Sequence, residues 1–191
     1  MARLPLYFCN IGHAGDQGRR ASPSHEALWV EIQESVDSLQ TMPKKMYQEG
    51  VFTFNNRLMV IPPENVSDAL NEIYRIPEGP NKEMLLRLAV AGTSLVPCEE
   101  QKLLMAWRKS EAEMLRKEGA GQTISAEEIG EQAVCLLTRN KVIGQIIAQT
   151  LSEDEAGILF LGSVHNLEGM MVNYLRDVQG LNVIEMNPHM R

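Results

Sequence analysis

The stretch from Gly157 to His165 limits what this chain can become. Ile158-Leu159-Phe160-Leu161 is an unbroken apolar run, flanked by Gly157 and Gly162 and followed by Ser163-Val164-His165. A short continuous run of this kind, bounded by glycine, reads as a strand buried on both faces. Strands of that type belong to parallel sheets whose two faces are covered by helices. Gly162 permits a sharp exit or a close backbone approach. His165 then falls just past the carboxyl end of a central strand, where open α/β sheets bind ligands.

The rest of the chain supplies the partners of that strand. Leu4 to Ile11 reads as a first strand. Ser22-Pro23 opens a helix running to about Gln40, with Leu28, Ile32, Val36 and Leu39 at helical spacing. Lys45 to Gln48 is a short strand. Phe52 to Ile61 fits a small hairpin around Asn55-Asn56 or a strand plus loop. Val66, Leu70, Ile73 and Tyr74 mark a short amphipathic helix. Met84, Leu85, Leu88 and Ala91 mark another, closed by Gly92. Thr93 to Pro97 is a third strand. A helix through Leu103, Leu104 and Trp107 follows, and its charged second half, Arg108 to Glu118, is expected to project into solvent. Residues 119–124 read as a flexible linker. Ser125 and Glu128 form a capping-box pattern ahead of a long helix carrying Ile129, Leu136, Ile143, Ile147 and Leu151. Gly144 inside that helix suits close packing. A helix from Leu167 to Arg176 and a strand from Asn182 to Met186 complete the chain. Alternating strands and helices predict an α/β fold. The expected form is a three-layer sandwich with a mainly parallel sheet of four or five strands, right-handed crossovers and one domain over residues 1–191.

Composition removes several functions. The net charge of −7 opposes nucleic-acid binding, which needs a basic face to neutralise phosphates. The three cysteines are far apart, odd in number and without Cys-x-x-Cys spacing. They read as reduced thiols of a cytoplasmic protein rather than a disulfide framework or a zinc knuckle. The start of the chain lacks a signal-peptide pattern, and no apolar stretch is long enough to span a bilayer. Hydrophobic residues make up 44% of the 191 positions, enough for a sizeable core. Partners within these bounds are a small molecule or another protein, and a homo-oligomer is compatible with them.

Four predicted strands end in residues able to do chemistry: His13, Glu49, Glu99 and His165. In a parallel sheet these ends share one edge, with neighbouring strands about 4.8 Å apart. Two histidines with carboxylates suit a divalent transition metal such as zinc, manganese or cobalt. His13, His165 and Glu99 would be the ligands. Such a metal would lower the pKa of bound water and supply a hydroxide. The corresponding catalytic set is His165 and His13 as ligands or general bases, with Glu99 and Glu49 as ligands or acid–base partners. Arg139 would contact an anion, and Gly162 would allow the ligand close approach.

Each of these residues also has an ordinary reading. A histidine after a strand is commonly a loop residue, and Glu99 stands where acidic residues favour a helix start. Arg139 interrupts an apolar stripe and is either exposed or aimed at an anion. A Cys98–His165 nucleophile competes with simple packing of a small thiol. Ser163 lacks the Gly-x-Ser-x-Gly elbow. The segment from Asp16 to Gly18 lacks both the P-loop lysine and dinucleotide glycine spacing.

Tyr47 to Gly50, Gly92 to Leu104, Arg139 to Leu151 and Gly157 to His165 together resemble a family of uncharacterised bacterial α/β proteins. More distantly, Gly162-Ser163-Val164-His165 after a buried strand is similar to the Gly-x-x-His motif of the TraB, ChaN and erythromycin-esterase-like group. That resemblance implies metal-dependent peptidase, haem-related binding or esterase chemistry. The chain departs from the group in lacking a second Gly-x-x-His and the Gly-Glu-x-His opening. The expectation is a hydrolase-like enzyme, metal-dependent if the ligand set is complete, with its site at the carboxyl edge of the sheet. The alternative is a non-catalytic metabolite-sensing or protein-interaction module.

Overall fold

The computed structural model describes residues 3–11, 23–54 and 57–186. Its sheet has five strands: β1 (Leu6–Ile11), β2 (Lys45–Thr53), β3 (Ser94–Glu100), β4 (Gly157–Gly162) and β5 (Val183–Glu185). They lie in the order β3-β2-β4-β1-β5, and every pairing between them is parallel. The expected parallel α/β architecture is therefore present.

Strand β4 pairs on both sides, with β1 and β2, and all six of its residues are buried. The period of two in a strand sorts its side chains between two cores. Ile158 and Phe160 enter one core with Tyr7 and Cys9. Leu159 and Leu161 enter the other with Leu6 and Phe8.

Helices α1 (Pro23–Asp37) and α3 (Pro80–Val90) cover the first face, through Leu28, Ile32, Leu85 and Leu88. Helices α5 (Ala126–Thr150) and α6 (Met170–Asn173) cover the second, through Ile143, Ile147, Met171 and Val172. Helix α4 (Gln101–Gly119) packs against α5. The chain therefore leaves neighbouring strands towards opposite faces. After β2 it passes to the α3 side, and after β3 and β4 to the α5 side. Such reversals open a crevice at the carboxyl ends of the strands.

Several boundaries differ from the sequence reading. Strand β2 does not stop at Gln48 but runs to Thr53 through a bulge. Its partners shift from Gln48↔Pro97 to Phe52↔Glu99. Gly50 makes the bulge possible, with φ of 85°, a left-handed conformation that glycine adopts without strain. β3 likewise continues past Pro97 to Glu100. Proline is tolerated there because β3 is an edge strand. Ile61 exchanges hydrogen bonds with Leu95 on β3 as an isolated antiparallel bridge. Phe52 and Thr53 belong to β2, not to a separate hairpin, and the proposed turn at Asn55-Asn56 lies outside the described residues.

The short helix after Pro62 is a mixture: a 3-10 turn (Pro63–Asn65), a single α turn, α2 (Val66–Asp68), and a π turn (Ala69–Ile73). The helix after β4 is similarly composite, with a 3-10 segment (Ser163–Gly169), α6 and a π turn (Tyr174–Val178).

Helix α5 begins as its sequence predicts. Ser125 Oγ accepts from the Glu128 N–H at 3.2 Å, and the Glu128 side chain accepts from the Ser125 N–H at 3.0 Å. Gly144 is where this helix meets the next segment. A Cβ there would lie 2.5 Å from a ring carbon of Tyr174, so a side chain at this position would force the Tyr174 ring aside. Residues 120–124 join α4 to α5 as a short turn.

Candidate functional site

The carboxyl edge of the sheet holds a cluster of buried polar side chains. Glu99 lies near the end of β3 and Glu49 at the bulge in β2. Gly162 ends β4, and His165 follows in the 3-10 segment. Arg139 and Asn140 reach them from α5. The segments preceding Glu49, Glu99 and His165 run side by side in one direction, as required. Strand β1, which precedes His13, runs with them, and Ile11 pairs with Gly162. His13 itself lies outside the described residues, as does the segment from Asp16 to Gly18.

Arg139 is the centre of the cluster. Its Nε donates to Glu99 Oε2 at 3.1 Å, and its Nη2 donates to both Glu99 oxygens at 3.1 and 2.9 Å. Nη2 also donates to Glu49 Oε1 at 3.2 Å. The guanidinium carbon sits 5.3 Å from the centre of the Trp107 ring, a cation–π contact supplied by α4. Only 1% of the Arg139 side chain is exposed. Burial opposes its charge, but Glu99 and then Glu49 outweigh that and hold its pKa above the ordinary value. Nη1 is buried with no hydrogen-bond partner among the described residues.

The β2 bulge is part of the site. It frees the Gly50 N–H from the strand ladder, and that group donates to Glu99 Oε1 at 3.0 Å. Glu49 is bound on both oxygens. Oε2 accepts from the Gly162 N–H at 2.6 Å, and Oε1 lies 3.1 Å from His165 Nε2. His165 is fully buried, whereas 11% of the Glu49 side chain is exposed. On its other side His165 Nδ1 meets Asn140 Oδ1, and Asn140 Nδ2 donates to the His165 carbonyl at 3.0 Å.

These contacts revise several expectations. Arg139 is neither exposed nor aimed outward; it binds Glu99 and Glu49. Gly162 serves through its N–H, by holding Glu49. Cys98 is buried and donates to the Gln48 carbonyl at 3.5 Å. Burial, then the charges of Glu99 and Glu49, push its thiol well above its ordinary pKa. A neutral buried thiol is a poor nucleophile, so the Cys98–His165 reading is set aside.

The donors that are described do not fit a divalent cation. Among the described residues, no three His, Cys, Asp or Glu side chains gather around one point. The link from His165 to Glu99 runs through Glu49 and Arg139, so a guanidinium already bridges the two carboxylates. Both ring nitrogens of His165 also have partners.

The sequence reading missed Asn140 and treated Trp107 only as packing. The signal for Asn140 was available. The apolar stripe Leu136–Ile143–Ile147 is interrupted by two adjacent polar residues, Arg139 and Asn140, and both are buried.

Comparison of the chain with protein-family models, with curated proteins and with solved structures returned no match. Among the described residues no helix is long and apolar enough to cross a membrane.

Proposed function

We propose that this protein is a hydrolase-like enzyme whose proton-transfer group is Glu49, backed by His165. The observation that carries this reading is the 3.1 Å contact between Glu49 Oε1 and His165 Nε2 at the carboxyl ends of the neighbouring parallel strands β2 and β4. Of the linked side chains, Glu49 reaches the surface while His165 and Arg139 stay within. A carboxylate placed this way takes a proton from water or a substrate hydroxyl and shares it with the imidazole behind it. Gly162 fixes the second carboxylate oxygen, and Arg139 with Glu99 keeps the first in place. The position of His165 just beyond β4 also suits the likeness to the Gly-x-x-His group, whereas the described donors do not support the metal associated with it.

The test is a panel of carboxylic ester, amide and phosphomonoester substrates, assayed with wild type and with Glu49→Gln. Removing a positioned acid–base group costs about 10²–10⁴-fold in rate. Turnover of at least one substrate class should fall by that amount in Glu49→Gln, measured at a temperature where both proteins are folded. Equal turnover by the two proteins sinks the reading.

A second reading, a protein-interaction module, is favoured by the α4–α5 hairpin. From Ser110 to Cys135 no residue is buried, and Leu115, Ile129 and Val134 are exposed. A panel with no Glu49-dependent turnover, joined to association that Val134→Glu abolishes, favours this reading instead.

A further inference from the structure

Asn140 contacts His165 at two points. Its Nδ2 donates to the main-chain carbonyl of His165 at 3.0 Å, and its Oδ1 faces the ring nitrogen Nδ1 of the same residue. Asn140 and His165 are both buried. The amide can be oriented only one way. A flip would set its oxygen against the carbonyl oxygen, with no hydrogen between them. With Oδ1 facing it, Nδ1 must carry the hydrogen, because two acceptors cannot bond to each other. Nε2 then has no hydrogen of its own, so its 3.1 Å contact with Glu49 Oε1 needs one proton between the two atoms, the proton that Glu49 takes up.

We propose that Asn140 is a positioning residue that holds His165 as the Nδ1–H tautomer, leaving Nε2 as the atom that exchanges a proton with Glu49 Oε1. The inference rests on the proposed acid–base role of Glu49. In the exchange, a proton that Glu49 has taken from its substrate leaves Oε1 and bonds to Nε2. The O–H bond breaks, the N–H bond forms, the carboxylate regains its charge and the ring becomes positive. Asn140 Oδ1 faces the ring hydrogen that carries part of that charge. The same arrangement keeps the imidazole from turning Nδ1 toward Glu49, so one orientation of the pair is available for reaction.

Nitrogen NMR of the full chain labelled at histidine tests this directly. The His165 signals are assigned by their absence from His165→Gln. The expected wild-type result is an Nδ1–H correlation protected from solvent exchange. Asn140→Leu keeps the side-chain size but removes the acceptor, and should lose that correlation. A wild-type spectrum in which Nδ1 carries no hydrogen overturns the proposal whether or not any variant folds. Retention of the Nδ1–H correlation in a folded Asn140→Leu overturns it as well. The spectrum does not depend on turnover. The expected signals in a protein whose activity ignores Glu49→Gln therefore uphold the tautomer assignment and remove only the catalytic reading.

Discussion

Near its middle, helix α5 holds Arg139 against Glu99 with 1% of each side chain exposed. Near its start, the same helix holds Glu128 against Lys117 with 29% and 24% exposed. Both are ion pairs between α5 and a neighbouring element, and both include extra hydrogen bonds. Glu99 takes the Gly50 N–H, and Glu128 takes the Ser125 N–H. They differ in solvent. At the hairpin, water screens the charges and replaces either partner if it is lost. At the sheet edge Arg139 and Glu99 are shut off from solvent, so Glu99 depends on the guanidinium, and the loss of either one strands the other. Burial therefore separates a pair that helps a helix start from a cluster that fixes the geometry of a site. The buried cluster also borders the strand ends, where ligands approach; the hairpin pair does not.

The sharpest way to break this contrast is to remove the shared cation. Arg139→Met keeps an aliphatic stem but leaves Glu99 and Glu49 without their counter-charge. It should cost about 3–5 kcal/mol, read as a lower urea midpoint. Adding Glu99→Gln to that variant should return part of the loss, since one stranded charge is gone. If Arg139→Met is as mild as a surface change, the cluster is wetter than its burial implies.

At the hairpin the effects are smaller. Ser125→Ala deletes the cap of α5 and should cost roughly 1 kcal/mol, visible in the same denaturation experiment. A loss equal to that of Arg139→Met would erase the difference between the two regions.

The smallest effect is the pH response of Glu128. Lys117, then the Ser125 groups, hold its pKa at about 2, below the ordinary 4.5. A depressed carboxylate stabilises the folded state above its unfolded pKa, and the contribution fades as pH falls through the folded value. The hairpin contacts around Lys117 should therefore weaken between pH 4.5 and about 2. Amide shifts in residues 117–128 check this by comparison with Glu128→Gln, which should show no such response. A response that persists in that variant assigns the titration to another group.

Much of the fold was legible because its signals are local. The apolar run Ile158–Leu161 needs burial on both faces, and only a covered parallel sheet supplies that. The Ser125–Glu128 box carries its meaning within a few residues. The site was legible only in outline. Strand ends could be matched to His165, Glu49 and Glu99 because parallel strands share an edge. The bulge at Gly50 was hidden because glycine in a strand pattern does not say how far the strand continues. The buried pair Arg139–Asn140 looked like one interruption of a stripe, since a sequence does not show which carboxylate a guanidinium will meet.

The sequence by itself determined the alternation of strands and helices, the buried central strand and the gathering of polar residues near one edge. These follow from periodicity and turn chemistry, which act over short distances. Only the tertiary structure decided what those polar residues do to one another. It set Arg139 between Glu49 and Glu99, turned His165 toward Glu49 and locked it with Asn140. Those choices depend on distances between elements far apart in the chain, and on the exclusion of water, which no local pattern encodes.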